Sequence, residues 1–143
     1  MKKFLISSVI LLTGFICRAQ RFFYIADSPL TGKYLTSELQ QAFQYVTSSP
    51  LASDYIIKSE VGFQDQTHRL TMQITLQDSV SFETIFQSSE TCDCNRSNKN
   101  AQIFLNMAVR TFLEKNISQI ILSAKDDHLN STMKTLGARK DKS

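Results

Sequence analysis

Phe22, Phe23, Tyr24 and Ile25 stand in a row and are closed by Asp27-Ser28-Pro29, which predicts a short buried first strand ending in a turn. The apolar period then changes. Leu35, Leu39, Ala42, Phe43 and Val46 have helical spacing, predicting a helix that Thr31 or Thr36 caps and Ser48-Ser49-Pro50 ends. From Ser53 to Phe63 the pattern alternates, with Tyr55, Ile57, Val61 and Phe63 on one face of a strand and Lys58 and Glu60 on the other. Beyond Gln64-Asp65-Gln66, Leu70, Met72, Ile74 and Leu76 alternate with Thr71, Gln73, Thr75 and Gln77, the most regular strand pattern in the chain. Asp78-Ser79 turns again into a third segment, Val80 to Gln87, where Phe82, Thr84 and Phe86 share a face. Turns this short join antiparallel neighbours, so these three strands form a meander.

Residues 88–100 are polar and read as a loop. Ala101, Phe104, Leu105, Ala108, Val109 and Phe112 then make one face of an amphipathic helix. Ile117, Ile120 and Ile121 either extend it or start a separate final element. The order of strand, helix, three-stranded antiparallel meander and C-terminal helix predicts an α+β fold, a two-layer sandwich with the helices on one sheet face and the other face partly wet.

The N-terminus alters the account of charge. Lys2 and Lys3, the apolar run from Phe4 to Ile16 and the small residue Ala19 before Gln20 have the order of a secretory signal peptide. The run is shorter than a bilayer span, and no second one follows, so residues 1–19 are expected to be cleaved between Ala19 and Gln20 and to leave no transmembrane segment. Cys17, closing Leu12-Thr13-Gly14-Phe15-Ile16, is the alternative: the lipid-accepting cysteine of a small outer-membrane lipoprotein, although bulky Ile16 stands where a small residue is usual. The whole chain carries sixteen basic and thirteen acidic residues, and the leader accounts for three of the bases and no acid. The remainder is therefore balanced, with residues 20–133 at net −3 and residues 134–143 at net +3. That distribution has no nucleic-acid footprint. One domain over residues 20–124 and a charged, disordered tail over 125–143 are expected.

The Ala19-Gln20 junction resembles that of exported Bacteroidetes proteins. Ser53-Asp54-Tyr55-Ile56-Ile57, followed by the strand from Leu70 to Asp78, is similar to the small periplasmic α/β domain of penicillin-binding-protein activator lipoproteins, of the curli secretion channel and of the N-terminal part of the Tol system's propeller protein. The likeness spans residues 21–122. It implies an envelope protein that binds partner proteins and carries no chemistry of its own. The chain departs from that group in lacking a lipidation cysteine in good context and in having few glycines at strand ends.

Candidate chemistry is sparse. Cys92-Asp93-Cys94 holds the only cysteines after the leader, and outside the cytoplasm the expected state is a Cys92–Cys94 disulfide. Metal binding, redox catalysis and free thiols are the alternatives, and Cys-x-Cys in a polar loop lacks the helix N-terminus that lowers a redox thiol's pKa. A zinc site would have to recruit His68 and His128, which are distant in sequence, so neither metal nor cofactor is expected. Adjacent carboxylates occur only at Asp126-Asp127, and the four glycines are scattered, which disfavours phosphate cradles and nucleophile elbows. No enzymatic activity is expected. Asn95, Asn116 and Asn130 open glycosylation triplets that matter in a eukaryotic secretory route, while Asp78-Ser79-Val80 is similar to the Bacteroidetes O-glycosylation site, with Ser79 as acceptor. The uncharged strand face of Thr71, Gln73, Thr75 and Gln77 is the candidate interaction surface, by edge addition if that strand is not central. The expected role is a periplasmic or secreted accessory that binds an envelope protein through this face or the 88–100 loop. A thiol or metal protein centred on Cys92 and Cys94 is the competing class.

Overall fold

The computed structural model describes residues 21–26, 28–64, 66–67, 69–93 and 101–140, the side chains of 101, 102, 104 and 138–140 excepted. In chain order the elements are β1 (Phe22–Ile25), α1 (Gly32–Gln41), β2 (Tyr45–Thr47), a 3-10 turn (Pro50–Ala52), β3 (Tyr55–Gln64), β4 (Arg69–Asp78), β5 (Thr84–Asp93) and α2 (Ala101–Lys140). The strands make one mixed sheet in the order β2-β1-β3-β4-β5. β1 runs parallel to both β2 and β3, and β3, β4 and β5 form the antiparallel meander.

Both helices pack on one face, giving the expected two-layer α+β sandwich. Phe23, Tyr55, Ile57, Leu70, Met72, Ile74 and Leu76 point from the sheet into a core completed by Leu35 and Leu39 of α1 and by Phe112, Leu113, Ile117, Ile120 and Ala124 of α2. Alternation fills one side of each strand and the helical period fills the inner side of each helix. The Ile117, Ile120 and Ile121 cluster therefore belongs to a single long helix.

Three expectations are corrected. α1 stops at Gln41 instead of running through Val46. Phe43 takes a left-handed φ of 57°, and the Phe43 N–H donates to Gln40 O at 3.0 Å while the Gln44 N–H donates to Leu39 O at 2.8 Å. This bond pair closes the helix and turns the chain into β2, where Val46 stands opposite Phe23.

The third meander strand is displaced along the chain. Ser79 to Glu83 form the turn, because the Asp78 carboxylate oxygen Oδ1 accepts from the N–H groups of Val80 and Ser81, both at 2.8 Å. β5 then occupies Thr84–Asp93, including residues 88–93 that were expected in a loop. Leu70, Met72 and Ile74 stand opposite Cys92, Glu90 and Ser88. The β4 ladder holds this polar segment extended without hydrophobic alternation of its own.

The third correction concerns the tail. α2 is 40 residues long and reaches Lys140, about 60 Å at 1.5 Å per residue, against about 34 Å for a ten-residue strand. Residues 125–140 contain no proline, and a helix already nucleated on the core propagates into them.

Candidate functional site

Thr71, Gln73, Thr75 and Gln77 lie together on the outer sheet face, as expected, between Lys58 and Glu60 of β3 and Gln87, Ser89 and Thr91 of β5. Lys58, Glu60, Gln73 and Gln87 contribute to the lining of a shallow depression of about 240 Å³ there. Gln77 Oε1 is buried without a protein partner among the described residues. β4 is bonded on both sides, to β3 and β5, so edge addition at these residues is excluded. Among the described residues the sheet ends instead at β2 and β5. β2 has three residues and leads toward Pro50, both devices that blunt an edge. β5 has ten residues, with no proline, lysine or arginine among them.

The inner layer opens at the far end of β3 and β4. A cleft of about 490 Å³ lies among Leu30, Val61, Phe63, Leu70, Leu105 and Val109, with Tyr34, Asn106 and Arg110 also in its wall. The Tyr34 hydroxyl donates to Glu114 Oε1 at 2.9 Å, and the Arg110 Nε–H donates to the same oxygen at 3.2 Å. The Arg110 guanidinium carbon lies 5.4 Å from the centre of the Tyr34 ring. Burial, followed by the bond to Glu114, raises the Tyr34 pKa. These contacts close the rim of the cleft. Their sequence signal was the Arg110–Glu114 spacing, one turn apart on a helix; Tyr34 gives no local sign of joining them.

The remaining predicted positions are dispersed. Cys92 is half-buried on the helix side of β5, packed against the core, and helps line a recess with Met72, Met107 and Phe112. Cys94, Cys17, Ala19, Gln20, His68 and Asn95 lie outside the described residues. Ser79 Oγ donates to Ser53 O at 2.6 Å, and Ser79 N–H donates to Asp54 O at 3.1 Å, so this turn serine ties β4 to the start of β3. Asp126 and His128 are exposed on α2, whereas Asp127 accepts from Tyr55. Asn116 is buried, and its Nδ2 donates to Phe112 O at 2.8 Å. Among the described residues no group of three or more His, Cys, Asp or Glu side chains is placed to hold a metal ion.

No family model matches the chain, and no curated protein resembles it significantly in sequence. Solved structures do resemble it. Protein XCC0632 from Xanthomonas campestris, described with the family model DUF330, superposes with a TM-score of 0.51 at 12% identity, over 77% of this chain and 88% of that one. A minor lipoprotein from Acinetobacter baumannii gives 0.46 at 13% identity over 74% and 94%, and lipoprotein GNA1162 from Neisseria meningitidis gives 0.44 at 13% over 66% and 95%. The likeness to XCC0632 shows a shared fold; an activity does not follow from a fold.

Proposed function

We propose that this protein is an exported, non-enzymatic component of a bacterial envelope and binds another protein by strand addition along β5. The observation that carries the reading is the edge itself: ten extended residues, laddered to β4 on one side and terminating the sheet on the other. Such an edge presents backbone donors and acceptors to an incoming extended segment. Glu90 and Asp93 on this strand are already paired with Lys115 at 3.7 Å and Arg69 at 3.4 Å, so the backbone of the edge, more than its charge, is what a partner strand would recognise. The leader-like residues 1–19 support export, and the lipoprotein names among the similar structures fit an envelope setting. A non-enzymatic role is supported by where the perturbed side chains sit. Tyr34 and Arg110 meet at Glu114, Tyr55 is bonded to Asp127 on α2 and Asp78 to the N–H groups of its own turn, three separate places each held by structural hydrogen bonds.

The test is photocrosslinking in the native envelope from a benzophenone amino acid placed at Ser89. One protein captured there, and lost when Gln87→Lys and Thr91→Lys put guarding charges on the strand, supports strand addition. Capture that survives the charges, or no captured protein, overturns it. Intact mass of the same preparation decides the anchoring question, since a chain starting at Gln20 is free and lipid on Cys17 makes it a lipoprotein.

A further inference from the structure

We infer that the free end of α2 rests on an anionic lipid surface. Every described residue from His128 to Gly137 is exposed, so these turns are packed against neither the sheet nor α1. They are nevertheless two-sided. Leu122, Leu129, Met133 and Leu136 are 50, 52, 69 and 53% exposed, and their spacing stacks them in one stripe along the helix. Leu113, Ile117, Ile120 and Ala124 are buried against the sheet. At about 100° per residue they fall on the opposite side of the helix, so the stripe faces away from the domain.

Charge selects the occupant. Lys125 and Lys134 are exposed on this stretch, Arg139 and Lys140 continue the helix, and Lys142 follows in sequence. Of the three acids set against these five bases, Asp127 is engaged by the Tyr55 hydroxyl, while Asp126 and, further along the sequence, Asp141 remain. Residues 134–143 are net +3 and residues 20–133 net −3. A second copy would bring one net-positive helix end against another. An anionic bilayer attracts the basic end and repels the acidic body, which sets the domain upright with α2 on the lipid and the sheet turned away. The stripe adds apolar contact to that attraction, the pair of signals a surface-lying helix uses. No described helix is long and apolar enough to cross a membrane, so α2 lies on the surface.

This inference is independent of strand addition at β5, because the stripe lies on the opposite layer. The test is vesicle flotation of the chain carrying Cys17→Ser, so that no N-terminal lipid contributes. Vesicles of phosphatidylcholine alone are compared with vesicles one-third phosphatidylglycerol. The expected result is flotation with the anionic vesicles only, weakened at least tenfold by Leu129→Ser with Leu136→Ser, and weakened likewise by Lys125→Glu with Lys134→Glu. These positions are exposed, so circular dichroism of the domain should be unchanged. No flotation on anionic vesicles, equal flotation on neutral ones, or flotation indifferent to both variants overturns the inference.

Discussion

The Tyr55 hydroxyl and the Asp127 carboxylate meet at 3.0 Å across 72 residues of sequence. The same hydroxyl lies 3.0 Å from the Ala124 carbonyl, so the start of β3 is fastened to α2 at the point where that helix leaves the core. Burial raises the Tyr55 pKa above its ordinary 10.0, and the bond to Asp127 and the negative charge there raise it further.

Replacing Tyr55 with Phe is expected to cost about 1.5–3 kcal/mol, the worth of a hydrogen bond to a charged acceptor after the ring's packing is kept. The raised pKa fixes the sign of the pH effect. The folded state keeps the phenolic proton after the unfolded chain has lost it, so the contribution is complete below pH 10.0 and is lost as pH rises toward the folded value. Urea unfolding at neutral and alkaline pH checks this. Wild type should lose stability above pH 10 more steeply than Tyr55→Phe, and parallel curves would contradict the assignment.

Asp78 works at the other end of the pH scale. The backbone N–H of Ser81 holds its carboxylate below the ordinary 3.8; burial opposes this, and the Val80 N–H and the Ser81 hydroxyl add to the lowering. Its stabilisation is present above the unfolded value and disappears as pH falls through the folded one. Asp78→Ala should destabilise by about 1–2 kcal/mol at pH 7 and flatten the acid limb of the stability curve. Thermal melts from pH 7 down to pH 2 measure both effects.

Asn116 begins a glycosylation triplet, but only 5% of its surface is exposed and its Nδ2 already donates within the helix. Passage through a eukaryotic secretory route should leave Asn116 unmodified, whereas Asn130, exposed on the free part of α2, is open to a transferase working on the folded protein. Peptide mapping after secretion distinguishes the two positions. A glycan on Asn116 would mean that modification precedes packing of α2.

What was legible in the chain was periodicity, a property of neighbouring residues. Leu70 to Leu76 state their strand outright, and Ala101 to Phe112 state their helix, whereas Ile117 and Ile120 fit both a continuation of it and a separate final element. Val46 shows where periodicity fails. It fits the helical register of Leu35 and Leu39, yet it also serves as the inward residue of a three-residue strand opposite Phe23, and a short window satisfies both periods. The second half of β5 has almost no apolar pattern, because its extended form is imposed by β4, residues away in sequence. The rim of the cleft was equally hidden, since Tyr34 and Glu114 are 80 residues apart. Only the (i, i+4) pair of Arg110 and Glu114 left a local trace.

Phe43 is the residue that broke the helical reading, and it holds its place at a cost. Its φ of 57° belongs to the left-handed region, where a β-carbon crowds the following carbonyl by roughly 1 kcal/mol. Glycine occupies this helix-closing position at no such cost. The Phe43 side chain is 91% exposed, so removing it gives up little buried surface. Glycine does add freedom to the unfolded chain, which offsets part of the gain. The net expectation for Phe43→Gly is a rise in stability of about 0.5–1 kcal/mol, read as a higher melting temperature with an unchanged denaturant m value. Phe43→Val should move the other way, because a β-branched side chain fits the left-handed region worse than phenylalanine does. If both substitutions destabilise equally, the ring is making a contact that its exposure does not reveal.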